Sequence, residues 1–132
     1  MSDLLPDSEV AFLRESSLAY ETHLENQMIV LVIKDYPLPQ GYAPATTDLL
    51  LRLHPQFPEI GPDMFWMLPF VSYADGGQPP ATEQREPIVQ RDWQRWSRHF
   101  TTSPWRPGVD NLRSFLTLIR AVLTREVAAR AA

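Results

Sequence analysis

Proline placement constrains this chain more than any other feature. Seven of its thirteen prolines (Pro37, Pro39, Pro44, Pro55, Pro58, Pro62 and Pro69) fall between Tyr36 and Phe70. Proline lacks the N–H that a helix interior or a sheet ladder needs, so no long helix crosses this region and its strands must be short. Between the prolines, Thr47–Leu53 alternates, with Leu49, Leu51 and Leu53 on one face and Asp48 and Arg52 on the other. Asp63–Met67 predicts another strand. Upstream, Leu18–Glu25 alternates strictly: Leu18, Tyr20, Thr22 and Leu24 oppose Ala19, Glu21, His23 and Glu25. Asn26-Gln27 reads as a hairpin turn into Met28–Ile33, a β-branched run suited to a buried strand. Four consecutive strands with short connections predict an antiparallel meander.

Helical periodicity appears at the two ends. Asp7 is a candidate N-cap for a helix of two turns carrying Val10, Phe12 and Leu13, too short to stand alone. Asp110 is a candidate N-cap for a longer amphipathic helix with Leu112, Phe115, Leu116, Ile119, Val122 and Leu123 on one face. Val71–Pro87 has little apolar content and carries Asp75-Gly76-Gly77 and Pro79-Pro80, which predicts a long surface loop. The expectation is a single α+β domain over residues 1–132: short N-terminal helix, four-stranded meander, long loop, C-terminal helix.

Composition narrows the chemistry. The absence of cysteine removes disulfides, cysteine metal sites and any thioester formed on this chain. The longest apolar run, Met28–Ile33, is far below the roughly 18 to 20 residues of a membrane-spanning helix. The acidic, proline-broken opening lacks the pattern of a secretory signal, so the expected location is the cytoplasm with no membrane partner. Residues 1–60 hold nine acids and three bases, whereas residues 61–132 hold seven acids and nine bases. The net charge of −4 argues against a nucleic-acid partner, which would require a stronger basic surface.

Reactive and anchoring residue types are densest from Arg91 to Phe100, which includes Asp92, Trp93, Arg95, Trp96, Ser97, Arg98 and His99. A helical segment would align Trp93, Trp96 and Phe100 as a core stripe. An extended one would bring Ser97 and His99 to one side, where the imidazole can accept the hydroxyl proton and Asp92 or Asp75 can orient the ring. Backbone conformation therefore decides the chemistry. His23 on a polar strand face and His54 before Pro55 offer no metal-ligand spacing, and no glycine-rich phosphate loop occurs, so neither metal nor nucleotide cofactor is expected.

The order of these parts resembles the ubiquitin-conjugating-enzyme (UBC-like) fold. Leu53-His54-Pro55-Gln56-Phe57-Pro58 through Phe65 is similar to that superfamily's proline-rich turn before the fourth strand. Trp105-Arg106-Pro107 with Asp110–Leu123 is similar to its Trp-Ser-Pro segment and following helix. More narrowly, Trp93–His99 with Trp105–Gly108 resembles a prokaryotic branch of conjugating-enzyme-like proteins without the catalytic cysteine. The resemblance implies that Val71–Pro87 is an active-site loop. It also implies a transferase in which Ser97, eight residues before Trp105, stands where relatives carry cysteine and accepts a ubiquitin-like protein as an oxyester.

On the same basis His99 is the base, its ordinary pKa of about 6.5 suiting that role. Arg95 or Arg98 would steady the tetrahedral intermediate, and Asp92, Trp96 and Trp105 would complete the substrate-binding surroundings. Implied partners are a ubiquitin-like protein, an activating-enzyme-like protein and a metallopeptidase from the same operon. The sequence departs from the superfamily's His-Pro-Asn motif. His54-Pro55-Gln56 lies 43 residues before Ser97, and no asparagine occurs between Leu68 and Phe100. The alternative is a UBC-like scaffold that binds a ubiquitin-like protein or its activator without covalent capture. A serine hydrolase finds no Gly-x-Ser-x-Gly elbow here.

Overall fold

The structure, a computed structural model, describes residues 4–98 and 104–131. Helix α1 (Asp7–Glu15) leads into β1 (Tyr20–Glu25), β2 (Met28–Pro37), β3 (Tyr42–Ala43), β4 (Thr46–Leu53), β5 (Phe65–Leu68), β6 (Ser72–Tyr73), β7 (Arg85–Ile88) and β8 (Arg91–Trp96). Helix α2 (Leu112–Ala131) follows. Six strands form one antiparallel sheet in the order β1-β2-β4-β5-β8-β7, while β3 and β6 pair separately. The expected α+β class and antiparallel meander are present as β1, β2, β4 and β5. The sheet then continues into a hairpin, β7–β8, within and beyond the stretch expected to be loop. Arg85, Glu86 and Pro87 hide this strand from pattern reading. As an edge strand, β7 tolerates charge and a proline that a central strand would not.

Period-two alternation on the central strands builds two cores. Ile29, Leu31, Ile33, Leu49, Leu51, Leu53, Phe65 and Met67 point towards the helices, joining Leu13, Phe115, Ile119 and Leu123. Val30, Val32, Leu50, Trp66, Ile88 and Trp93 fill the opposite face, which carries no helix among the described residues. That second core is enclosed because the sheet curls: Val89, at the end of β7, donates its N–H to Glu25 Oε2 on the opposite edge strand at 2.8 Å. Trp66, Trp93 and Trp96 are each at most 2% exposed. Burying an indole removes roughly 150–250 Å² from water, about 4–6 kcal/mol as an upper bound, which explains how a small second core can hold the curl.

Both tight hairpins use two consecutive residues with positive φ: Asn26 (52°) and Gln27 (64°) join β1 to β2, and Val89 (43°) and Gln90 (65°) join β7 to β8. Such loops match the right-handed twist of the strands they connect. Three details differ from expectation. Pro6 rather than Asp7 occupies the α1 N-cap, and Asp7 begins the helix as an acid near the positive end of its dipole. Asn111 rather than Asp110 caps α2: its Oδ1 accepts the Ser114 N–H at 3.0 Å, while Asp110 accepts the Arg106 N–H at 2.8 Å. Leu24, assigned to the apolar side of β1, is 66% exposed, because β1 is an edge strand and its end overhangs the core.

Candidate functional site

Strand β8 sets the geometry of the residues singled out in the sequence. It pairs with β5 on one side and β7 on the other, so the segment is extended and the helical alternative is not adopted. Trp93 and Trp96, three residues apart, therefore face opposite sides of the sheet. Trp93 lies in the helix-free core and donates Nε1–H to the Ile88 carbonyl at 3.0 Å. Trp96 lies in the main core, stacked on Phe65 with ring centroids 5.6 Å apart and edge-on to Tyr42 at 6.2 Å.

Gln94 binds this framework together. Its Oε1 accepts from Val71 N–H at 2.8 Å and Trp96 Nε1–H at 3.0 Å, and its amide nitrogen donates to the Val71 carbonyl at 3.0 Å. The residue is 4% exposed, and each of these bonds removes an otherwise unsatisfied buried group. Sequence reading passed over Gln94 because a glutamine between charged residues carries no pattern.

Beyond Trp96 the backbone stays tethered. Arg95 N–H donates to the Gln84 carbonyl at 2.9 Å and Ser97 N–H to the Ala81 carbonyl at 3.2 Å. Continuing the alternation puts Ser97 on the side of Arg95, and Arg98 on the side of Trp96. Ser97 is half-buried, and among the described residues its hydroxyl has no hydrogen-bond partner. It is not sealed between the two indoles, since Trp96 lies on the other side of the sheet. His99 lies outside the described residues.

The two candidate arginines differ sharply. Arg98 donates Nε–H and Nη2–H to the two carboxylate oxygens of Glu126 on α2, at 2.7 and 2.8 Å, and Nη1–H to the Ser97 carbonyl at 2.9 Å. Its guanidinium carbon stands 4.9 Å from the Trp96 ring centroid. All three nitrogens are engaged, so Arg98 clamps the strand end onto α2. Arg95 lies on the helix-free side, where Nη1 meets Glu86 Oε1 at 3.2 Å and the buried Nε has no partner among the described residues. Glu86 also accepts from Trp66 Nε1–H and from Arg52 Nη2–H, each at 3.2 Å. Burial opposes ionisation of Glu86, but these donors and the Arg52 charge hold its carboxyl below the ordinary carboxylate range.

The remaining predicted residues do not gather around Ser97. Asp92 is exposed at the turn end of β8, five residues and about 16 Å of strand away, on the other side of the alternation. Asp75 is engaged with Arg130, at 3.1 and 3.2 Å, and with Gly77 N–H, contacts that hold its carboxyl below the ordinary range. Trp105 donates Nε1–H to the Pro58 carbonyl at 2.7 Å and packs between Phe57 and Phe115. Gly61 lies directly under its ring, where any Cβ would collide with the indole.

Beside the Arg98–Glu126 pair, the sequence reading missed two tyrosines. Tyr42 and Tyr73 stack at 5.6 Å, and Tyr42 O–H donates to the Leu123 carbonyl at 2.8 Å. Burial first, and the Glu126 charge second, push both phenols above their ordinary pKa. Glu126 and Arg130, four apart on α2, were the available signal for this cluster.

No helix among the described residues is long and apolar enough to cross a membrane. Residues 5–126 match the family model described as prokaryotic E2 family E. No curated protein and no solved structure matches the chain.

Proposed function

We propose, from the premise that this chain belongs to prokaryotic E2 family E, that Ser97 accepts the activated C-terminus of a ubiquitin-like protein as an oxyester. Membership implies a role related to ubiquitin-like conjugation, and in this proposal the α+β arrangement is the UBC-like form of that family. The observation carrying the assignment to Ser97 is its position: just past the tethered end of an extended strand, half-buried, with a hydroxyl unengaged among the described residues.

In this mechanism an activating-enzyme-like partner delivers the activated carbonyl. The Ser97 Oγ–H loses its proton to His99 as Oγ attacks the carbonyl carbon. The tetrahedral intermediate collapses, the bond to the carrier breaks, and the leaving group takes the proton from the imidazolium. A second nucleophile then attacks the oxyester carbonyl and the Ser97 hydroxyl is restored. Arg95, on the side of Ser97, with a side chain 32% exposed and bonded among the described residues to Glu86 through Nη1, suits the task of steadying the oxyanion better than Arg98, whose three nitrogens are all engaged. Arg98 acts as a positioning residue. The pathway is cytoplasmic, and a metallopeptidase from the same operon trims the ubiquitin-like protein.

One observation favours a second reading. With Arg98 neutralised by Glu126, its cation is held in the framework rather than presented to an incoming carbonyl, as a non-catalytic scaffold would allow. Reconstitution with ATP, the activator and the ubiquitin-like protein separates the two. An adduct that resists thiol reductant, yields to alkali and disappears in Ser97→Ala supports the oxyester. An adduct retained in full by Ser97→Ala refutes Ser97 as acceptor, and binding of the ubiquitin-like protein without any adduct establishes the scaffold.

A further inference from the structure

A wide concavity lies away from Ser97. A groove of about 820 Å³ runs along the outer face of α2, with Phe12 of α1 and Leu18 just after that helix on one wall and Tyr36 and Pro37 at the end of β2 on another. Its lining is mostly apolar, but Arg113, Arg120 and Arg125 also border it and no acidic residue does. This is a concentrated positive charge on a chain whose net charge is −4.

Two of the arginines are held in place by neutral groups. The Arg113 guanidinium stands 4.7 Å from the Phe12 ring centroid, and Arg120 Nη1–H donates to the Pro37 carbonyl at 2.8 Å. Among the described residues, no carboxylate pairs with any of the three. An apolar groove bordered by unneutralised cations is complementary to an apolar surface flanked by carboxylates.

We propose that this groove receives an acidic amphipathic helix from a partner protein, with its apolar side on Phe12 and Leu116 and its carboxylates on the arginines. The exposed Thr117, Ala121, Thr124 and Ala128 recur at alternating spacings of four and three, so a second helix can lie close alongside α2. From Arg113 to Ala128 the groove offers about 22 Å, the length of a four-turn guest. A lipid surface is the less suitable occupant, because the apolar lining is recessed between α1, β2 and α2 rather than displayed on a convex face. The site is independent of the Ser97 chemistry.

Two synthetic 16-residue helices sharing one leucine heptad pattern, one flanked by glutamates and one by lysines, provide the probes. Fluorescence anisotropy is measured against the full chain at low and at 0.3 M salt. The acidic peptide should bind, weaken at least tenfold in high salt and weaken at least tenfold in Arg113→Glu/Arg120→Glu, whose exposed substitutions should leave the circular dichroism unchanged. Ser97→Ala should bind it as the wild-type chain does. Equal binding of the lysine peptide, or no binding of the acidic one, overturns the proposal. So does a dimer in sedimentation velocity that the double substitution dissolves, which would make a second copy the occupant. Adsorption to phosphatidylserine vesicles that the same substitution abolishes would overturn it in favour of a membrane.

Discussion

The Arg98–Glu126 pair offers the sharpest energetic test of how the end of β8 is held. Its side chains are 11% and 19% exposed, and two nearly parallel N–H···O contacts of 2.7 and 2.8 Å join them. An exposed ion pair contributes roughly 0–1 kcal/mol. Breaking a fully buried one costs about 3–5 kcal/mol, because a charge is left without a counterion. At this exposure Glu126→Ala should cost about 2–3 kcal/mol, stranding the Arg98 guanidinium against Trp96.

Arg98→Ala removes the indole contact and the hydrogen bond to the Ser97 carbonyl along with the ion pair, so it should cost a similar amount. The double variant should cost much less than the two single ones together, giving a coupling of about 1.5–2 kcal/mol in urea denaturation. Raising salt should hardly change that coupling, since a largely dehydrated pair is poorly screened. A coupling below about 0.5 kcal/mol, or one abolished by 0.5 M salt, would show that the pair behaves as a surface contact and that the clamp argument is wrong.

Two further predictions concern the frame. Glu9 is buried and accepts the Leu112 N–H at 2.9 Å at the start of α2; burial lifts its carboxyl above the ordinary 4.5, although the hydrogen bond opposes this. The folded chain thus retains a proton that the unfolded chain has lost, and this group's contribution to stability should decline as pH rises from about 4.5 through the raised value. Glu9→Gln keeps an oxygen for the Leu112 N–H but removes the charge, so urea midpoints measured from pH 4.5 to 7.5 should vary less steeply; an unchanged slope would refute the assignment. At the β1–β2 turn, Gln27→Gly relieves a left-handed backbone (φ 64°) at an exposed position and should stabilise the fold by about 0.5–1 kcal/mol. A lower thermal midpoint would count against that turn geometry.

What could be read from the chain was what local pattern encodes. In β4, alternation named Leu49, Leu51 and Leu53 as core residues, and in β2 the continuous β-branched run marked a strand buried on both faces. The amphipathic stripe of α2, the Asn26-Gln27 turn and the resemblance carried by Trp93–His99 and Trp105–Gly108 were legible for the same reason: each lies within a short stretch of sequence. Ser97 was singled out that way; it follows directly on the end of β8, while His99, the base expected beside it, lies outside the described residues.

Tertiary structure decided the rest. No periodicity in Arg85–Ile88 announces an edge strand, since an edge needs only one partner and tolerates charge and proline. Trp93 and Trp96 looked equivalent until pairing with β5 and β7 turned them to opposite faces. The resemblance offered Arg98 to the tetrahedral intermediate, but α2 brings Glu126 to it across 28 residues, and nothing in the sequence singled out Glu9, which meets Leu112 across 103. Hydrophobic alternation is a property of neighbours along the chain, so the sequence alone determined β1, β2, β4, β5 and the two helices, and most of the sides they bury. Partnership between distant polar groups depends on where packing brings them, and only the folded chain determined which arginine is neutralised, which carboxyl is dehydrated and which side of the sheet Ser97 occupies.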